Sequence, residues 1–262
     1  MISAIDCDLH SHTFYSDGRT GVDENAHAAE AEALQALAIT DHLHAEGSDW
    51  SDRGKLRQCL ADVLRAREWC TTRLVMGVEA TTTSAGGAIT VTDADLDGIE
   101  LVLVDVGFDT AGLATGAPLG KRQQLDAVLG LYFSLAANPL INVLAHPFSV
   151  GRFGLELALE DLPATALREL GHSLAEHGVA FELNNGLWWW WPQYHPRRLA
   201  DTYARIVAEV ALGGARFTLG SDAHCNTSIG NLGWATYVAS LAGIGPSQWA
   251  DLDALVRDGH KP

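Results

Sequence analysis

The chain has 262 residues, 47% of them apolar and 19% charged, which is enough to bury a sizeable core and excludes a disordered polymer. Seventeen Lys+Arg against 33 Asp+Glu leave a net charge of −16 with histidine neutral, and such a surface disfavours binding long nucleic acid through a basic face. The longest apolar stretch, residues 129–145, is broken by Ser134, Asn138, Pro139 and Asn142, so no membrane span is expected.

The opening MISAIDCDLH carries neither a basic nor an apolar leader segment, so a cytoplasmic protein is expected. Cys7, Cys59, Cys70 and Cys225 form no CxxC and no dense framework, and they are expected to be free thiols in a reducing compartment. Short β-rich runs then alternate with stretches whose apolar residues recur every three or four positions. Strands are expected at 2–8, 36–39, 74–78, 101–106, 141–144, 179–183 and 217–219. Helices are expected at 22–34, 56–70, 119–135, 162–177 and 196–212, with a last one at 247–256 capped by Ser247. The Gly/Thr/Ser-rich stretch 81–92 reads as a hairpin or loop. Continuous apolar strands separated by helices mean a parallel sheet covered on both faces. Seven of them predict an α/β fold, a closed or nearly closed TIM-like barrel in a single domain over 1–262. A doubly wound open sheet is the rival, but no GxGxxG follows a strand.

Polar residues gather at the C-terminal end of strand after strand: Asp8-Leu9-His10-Ser11-His12, Thr40-Asp41-His42, Gly77-Val78-Glu79, Ala145-His146-Pro147, Glu182-Leu183-Asn184-Asn185 and Gly220-Ser221-Asp222-Ala223-His224. In an α/β barrel these ends build the active site. Positions i and i+2 of a strand face the same way, so His10 with His12, and Asp222 with His224, can both aim into the mouth. Imidazole and carboxylate together suit Zn, Mn or Fe. Singly each piece is weak: an HxH arises by chance, Asp41 could cap the helix that follows, and His-Pro could be a turn. Their convergence is the signal. His27, His172 and His177 fall in helical patterns and read as surface residues, His260 lies in the tail, and His195 could line a rim. His44 could face the pocket.

These segments, in this order, resemble the PHP (polymerase and histidinol phosphatase) family: DLHSHTFYSDG (8–18), ITDH (39–42), GVE (77–79), AHP (145–147), ELNN (182–185) and GSDAH (220–224). The resemblance covers essentially the whole chain. It implies a distorted (β/α)7 barrel that binds two or three divalent transition-metal ions at the C-terminal face, and hydrolysis of the esters of a small phosphorylated substrate by a metal-activated hydroxide. Carried over residue by residue, it implies metal ligands at His10, His12, Asp17, His42, Glu79, His146, Asp222 and His224. One division puts His10, His12, Glu79 and Asp222 on one ion and Asp17, His42 and His224 on another. Three-metal members usually carry a further histidine on the fourth strand, where this chain reads LVLVD (101–105). Val102 is the expected equivalent, with Asp105 as a substitute if the register shifts, so a third ion on Glu79 and His146 would lack a nitrogen.

For proton delivery to the leaving group, His44, His224 and a metal-bound water are the candidates. For a phosphate clamp they are Arg19, Lys121, Arg122 and Arg152, with Arg152 the first choice because it follows His146 by six residues. Four consecutive tryptophans, Trp188 to Trp191, cannot all enter one core, and some are expected at the pocket rim or at a contact between subunits. Two rival functions stand beside the phosphoesterase. A metal-dependent amidohydrolase would want a lysine ending a strand, and Lys55, Lys121 and Lys261 do not. A non-catalytic metal-binding module has no need of so full a ligand set.

Overall fold

The apolar runs are buried on both faces, as a helix-covered parallel sheet requires. The computed structural model describes residues 2–108, 110–113 and 119–257. In it the runs form β1 (Cys7–Asp8), β2 (Ala36–Ile39), β3 (His42–Leu43), β4 (Arg73–Thr81), β5 (Leu101–Asp105), β6 (Val143–Leu144), β7 (Ala180–Asn184) and β8 (Phe217–Gly220). All pair in parallel, in the order β1-β2-β4-β5-β6-β7-β8, with β3 also on β4. Ala36 to Ile39 pair with Arg73 to Met76, while His42 and Leu43 pair with Glu79 and Ala80 further along the same strand. β2 and β3 are therefore one stave bent at Thr40-Asp41, and the wall has seven staves. It closes where the segment after β1 meets β8 and its extension. Leu9 N–H donates to Leu219 O at 2.9 Å, Asp222 N–H to His10 O at 2.9 Å, and His12 N–H to Ala223 O at 2.8 Å.

Around the wall run α1 (Val22–Ala31), α2 (Arg53–Ala66), α3 (Lys121–Ala136), α4 (Ala164–His177), α5 (Leu187–Trp190), α6 (Pro196–Leu212), α7 (Gly233–Ala242) and α8 (Leu252–Leu255). Inside the barrel, Leu9, Val75, Leu101, Leu103 and Val143 fill the floor beneath the polar mouth. Outside it, the alternate strand residues meet the helices in two larger clusters. α6 illustrates the outer layer: Leu199, Tyr203, Ile206, Val207 and Val210 are buried on one stripe, and each large apolar side chain so buried contributes about 1.5–3 kcal/mol. None of the described helices is long and apolar enough to cross a membrane.

Two expectations are corrected, and one helix appears where none was expected. Strand 2–8 shrinks to β1, because a 3-10 turn at Ala4–Asp6 carries the chain into the barrel floor with Ala4 fully buried. The terminal helix 247–256 does not form. Ala250 N–H instead donates to Phe217 O at 2.9 Å, and Trp249 bridges to Phe217. This extended pairing splits the segment into a 3-10 turn at Pro246–Gln248 and the short α8, capped by Asp251 rather than Ser247. α7 was not anticipated, since no side chain caps its start and its run GWATYVASLA lacks a clear polar face. The 81–92 stretch is a hairpin: Thr82 bridges Ile89 antiparallel, and Thr83 N–H donates to Ala88 O at 2.8 Å. His260 and Lys261 lie outside the described residues.

Candidate metal centre

The HxH spacing does what strand geometry dictates. Just beyond β1, His10 and His12 both turn into the barrel mouth, fully buried, with their Nε2 atoms 3.1 Å apart. Glu79, near the C-terminal end of β4, sends Oε2 to 3.3 Å from His10 Nε2, 3.5 Å from His12 Nε2 and 2.9 Å from His42 Nδ1. Its other oxygen lies 3.0 Å from His146 Nε2. After β8, Asp222 Oδ1 is 3.2 Å from His12 Nε2 and 3.6 Å from His10 Nε2. Asp17, in the loop after β1, places Oδ2 3.2 Å from His224 Nε2 and 3.6 Å from His42 Nε2. All eight residues expected as ligands thus meet in one cluster.

Within it, three sets of donor atoms lie within 4.8 Å of one another: His12, Asp17, His42 and His224; His10, Glu79 and His146; His10, His12 and Asp222. His12 faces the Asp17 group as well as Asp222, so the division between ions is less sharp than the sequence suggested. Two imidazole nitrogens 3.1 Å apart, each also facing carboxylate oxygens, form a donor set suited to divalent cations.

The charges explain why such a cluster survives burial. Burial pulls the His10 imidazole down, but Glu182, Glu79 and Asp222 overcome it and hold it well above its ordinary value. Burial works the same way on His146, and the Glu79 carboxylate raises it to about 9. Glu79 and Asp222 are held low against their own burial, chiefly by the charge of His10. His12 goes the other way, lowered by burial and by the neighbouring His42.

A tier of residues supports the cluster in roles that the sequence did not suggest. Glu182 on β7 is buried, with Oε1 2.8 Å from His10 Nδ1 and Oε2 accepting from His146 N–H. That contact needs glycine at position 220, where a Cβ would fall 1.9 Å from Glu182 Oε1. Asp8 accepts from Ser221 N–H and Gly230 N–H, both at 2.9 Å, tying β1 to the Asp222 loop. Asp41 caps no helix; α2 is capped by Asp52. Its carboxylate instead accepts from Thr13 N–H at 2.8 Å and from the Thr13 and Ser16 hydroxyls, pinning the loop that carries Asp17. The usable signal was placement: Asp8, Asp41 and Glu182 all sit in the strand-end motifs. Two proposed ligands, His146 (φ 29°) and Asp222 (φ 57°), hold left-handed backbone, a strain typical of functional positions.

The fourth barrel stave corrects another expectation. Val102 pairs with Val78 and lies in the outer cluster with Val63 of α2, so it faces the helices and not the mouth. Leu101 and Leu103 point inward, and by the same alternation Asp105 is the inward residue at the end of β5. Its carboxyl is raised to about 6 by burial and by the Glu79 charge, and it accepts a hydrogen bond from Thr81 Oγ1.

The remaining candidates separate. His44 is half-buried, its ring 5.0 Å from that of His42 and edge-on to Trp50, which stacks on His42 at 4.9 Å. Lys121 and Arg122 pair with Asp161 and Asp126 on the surface, and Arg19 is exposed. Arg152 is exposed too, its guanidinium 3.9 Å above the Trp189 ring. His195 caps α6; His27, His172 and His177 are exposed, as expected. Of the four tryptophans, Trp191 enters the core and donates to Phe148 O, Trp190 stacks on His146 at 5.4 Å, and Trp188 and Trp189 are exposed.

A parallel barrel with this donor set at the C-terminal ends of its strands puts groups suited to divalent cations where barrel enzymes keep their active sites. The chain belongs to the PHP domain family, whose model matches residues 8–185. It is 29% identical over 268 residues to a protein of Edwardsiella ictaluri named "probable phosphatase", covering 97% of this chain and 95% of that one. It is 28% identical over 247 residues to another of that name from Syntrophotalea carbinolica, covering 92% and 89%. Its fold is similar to that of the histidinol phosphate phosphatase of Lactococcus lactis, crystallised with zinc, L-histidinol and phosphate. The TM-score is 0.65 at 18% identity, over 94% of this chain and 98% of that one.

Proposed function

We propose that this protein hydrolyses the phosphate ester of a small substrate, with two or three divalent ions held by His10, His12, Asp17, His42, Glu79, His146, Asp222 and His224. The observation that carries the reading is the meeting of five imidazoles and three carboxylates from several strand ends in one mouth, with His10, His12, Glu79 and His146 buried at its base. Asp105, inward on β5 and within reach of the charges of Glu79 and His146, is added as a further oxygen donor toward that side of the cluster. Divalent ions in these positions supply Lewis acidity toward the phosphoryl oxygens and lower the pKa of water toward about 7.

The chain's own part is to bind, orient and handle protons. Glu182 fixes which nitrogen of His10 faces the mouth. Asp8 and Asp41 hold the Asp222 and Asp17 loops at their places. Arg152 at the rim meets the incoming phosphate, a local cation against a globally acidic surface. In hydrolysis water adds to phosphorus and gives up one proton, the bond from phosphorus to the ester oxygen breaks, and the departing alkoxide takes one proton, so none is gained or lost overall. His44, beside His42, is assigned to deliver the alkoxide's proton and is restored by the one the water releases.

The test is purified protein assayed with and without added Zn, Mn or Fe(II) on an aryl phosphate, a bis-aryl phosphate, histidinol phosphate and an amide. Turnover of a phosphate ester that depends on metal is expected, and its loss in His10→Ala and Asp222→Ala together with bound metal. Activity on the amide alone, or none with any metal, rejects the proposal.

A further inference from the structure

One guanidinium ties together three segments near His42. Arg53, the first residue of α2, donates from Nη1 to His44 O at 2.9 Å and to Ser51 O at 3.0 Å. Its Nη2 donates to Thr90 O at 3.1 Å and its Nε to Asp95 Oδ1 at 3.1 Å. His44 and Ser51 lie in the loop between β3 and α2, Thr90 in the 81–92 hairpin, and Asp95 in the 3-10 turn at Asp93–Asp95. The hairpin grips the same loop a second time, because Thr90 Oγ1 donates to Leu43 O at 2.5 Å. Arginine suits this place, since its planar fork carries five N–H donors and stays charged. Three of its acceptors are main-chain carbonyls in irregular chain, where no sheet or helix ladder supplies a donor.

What the fastened loop carries is Trp50. Its ring stacks on His42 with centroids 4.9 Å apart and planes at 24°, and its carbonyl accepts from His44 N–H at 3.0 Å. An imidazole can turn about two side-chain torsions. A stacked indole restricts it to one plane, and in that plane His42 Nε2 lies 3.6 Å from Asp17 Oδ2 while Nδ1 lies 2.9 Å from Glu79 Oε2. None of the four acceptors of Arg53 is a side chain of the cluster. Its effect on the cluster therefore passes through the loop and Trp50.

We infer that Arg53 is a positioning residue for the ion that Asp17, His42 and His224 would hold: by fastening the 44–51 loop it keeps Trp50 flat on His42 and so sets the direction of the His42 nitrogens. This rests on the proposal above for the ligands themselves. Partners that orient a ligating histidine act on metal affinity without touching the metal. A fastening that served the loop alone would change the melting temperature and leave ion binding as it was.

The experiment reads ion binding rather than turnover. Metal-free protein is titrated with Zn by calorimetry and with Co(II), whose visible absorption reports the geometry of its ligands. Arg53→Ala should bind one ion about tenfold less tightly, the scale of losing a partner that orients a ligating histidine, and should alter the Co(II) spectrum while circular dichroism shows a folded chain. Trp50→Leu should weaken the same ion. In the Trp50→Leu background Arg53→Ala should cost little more, because the connection to His42 is already cut, and the two losses fall short of adding. Unchanged affinity in Arg53→Ala, or losses that simply add, overturn the inference and leave the metal centre standing. Should Arg53→Ala fail to fold, Trp50→Leu decides: a weakened ion with an altered Co(II) spectrum supports the inference, and normal binding overturns it. If the unaltered protein binds no ion, the metal-centre reading itself fails and the role of Arg53 falls with it.

Discussion

The carboxylate of Glu182 joins His10 to the backbone of His146. One oxygen sits 2.8 Å from His10 Nδ1, the other accepts the N–H of His146, and all three residues are buried. A single side chain on β7 thus sets the orientation of two proposed ligands that come from different strands.

Glu182→Gln keeps the shape but exchanges one acceptor for a donor. Loss of such a partner to a ligating histidine typically costs about 10–100-fold in metal affinity. Competition against a chelator should therefore give a dissociation constant raised by that factor for the most tightly held ion. The metal-free variant should remain folded by circular dichroism. Unchanged metal affinity would reduce Glu182 to a packing residue.

His146 gives the metal-free protein a pH dependence of known sign. Its folded pKa, raised to about 9, lies above the ordinary imidazole value of 6.5. The contact with Glu79 therefore stabilises fully below pH 6.5, and this is lost as pH rises through about 9. The loss is at most about 3 kcal/mol, taking 1.36 kcal/mol per pH unit. A cation on the same nitrogen must displace the proton. Between pH 6.5 and 9.5 the melting temperature of the metal-free protein should fall while the increment on adding metal grows. Metal titrated into weakly buffered protein at pH 7 should release protons. A flat metal-free melting curve across that window would contradict the assignment.

Asp41 supports the loop that brings Asp17 to His42 and His224. Asp41→Ala leaves the Thr13 N–H and the Thr13 and Ser16 hydroxyls without their acceptor, at a cost of about 1–3 kcal/mol for each buried group that finds no water. The variant should melt lower and bind fewer ions per chain by elemental analysis, because the Asp17 loop is no longer held. Full metal content at normal melting temperature would show that the loop holds itself.

The ligand cluster was legible in the sequence because two periodicities carry it. Apolar runs mark the strands, and a barrel puts every strand's C-terminal end on one face, so His10, His42, Glu79, His146 and Asp222 had to converge once the barrel was read. What was not legible depends on contacts between distant segments. The pairing of Ala250 with Phe217 dissolves a helix that local pattern favours. Whether Val102 or Asp105 looks inward depends on strand parity, which a run of LVLVD, apolar on both faces until its last residue, does not reveal. Glu182 lay inside a quoted motif, yet its role appears only when β7 stands beside His10 and His146. The division of labour among four adjacent tryptophans is set by the turn of α5, not by composition.

Asp105 carries the last prediction. Its carboxyl is buried beside Glu79 and raised to about 6 from the ordinary 3.8. A raised carboxyl favours the protonated form in the folded chain, so metal-free stability drops as pH climbs from about 4 through 6. Asp105→Asn removes that penalty. At pH 8 the metal-free variant should be more stable than the parent by about 1–3 kcal/mol in urea unfolding, and at pH 4 the two should nearly coincide. With metal present the order should reverse, because the side chain that burdens the empty cluster is the inward oxygen donor on β5. Elemental analysis should then find fewer ions per chain in the variant. Equal metal content together with the pH-dependent gain would leave Asp105 a buried charge that metal binding does not use, and His146 with Glu79 would hold their ion without it.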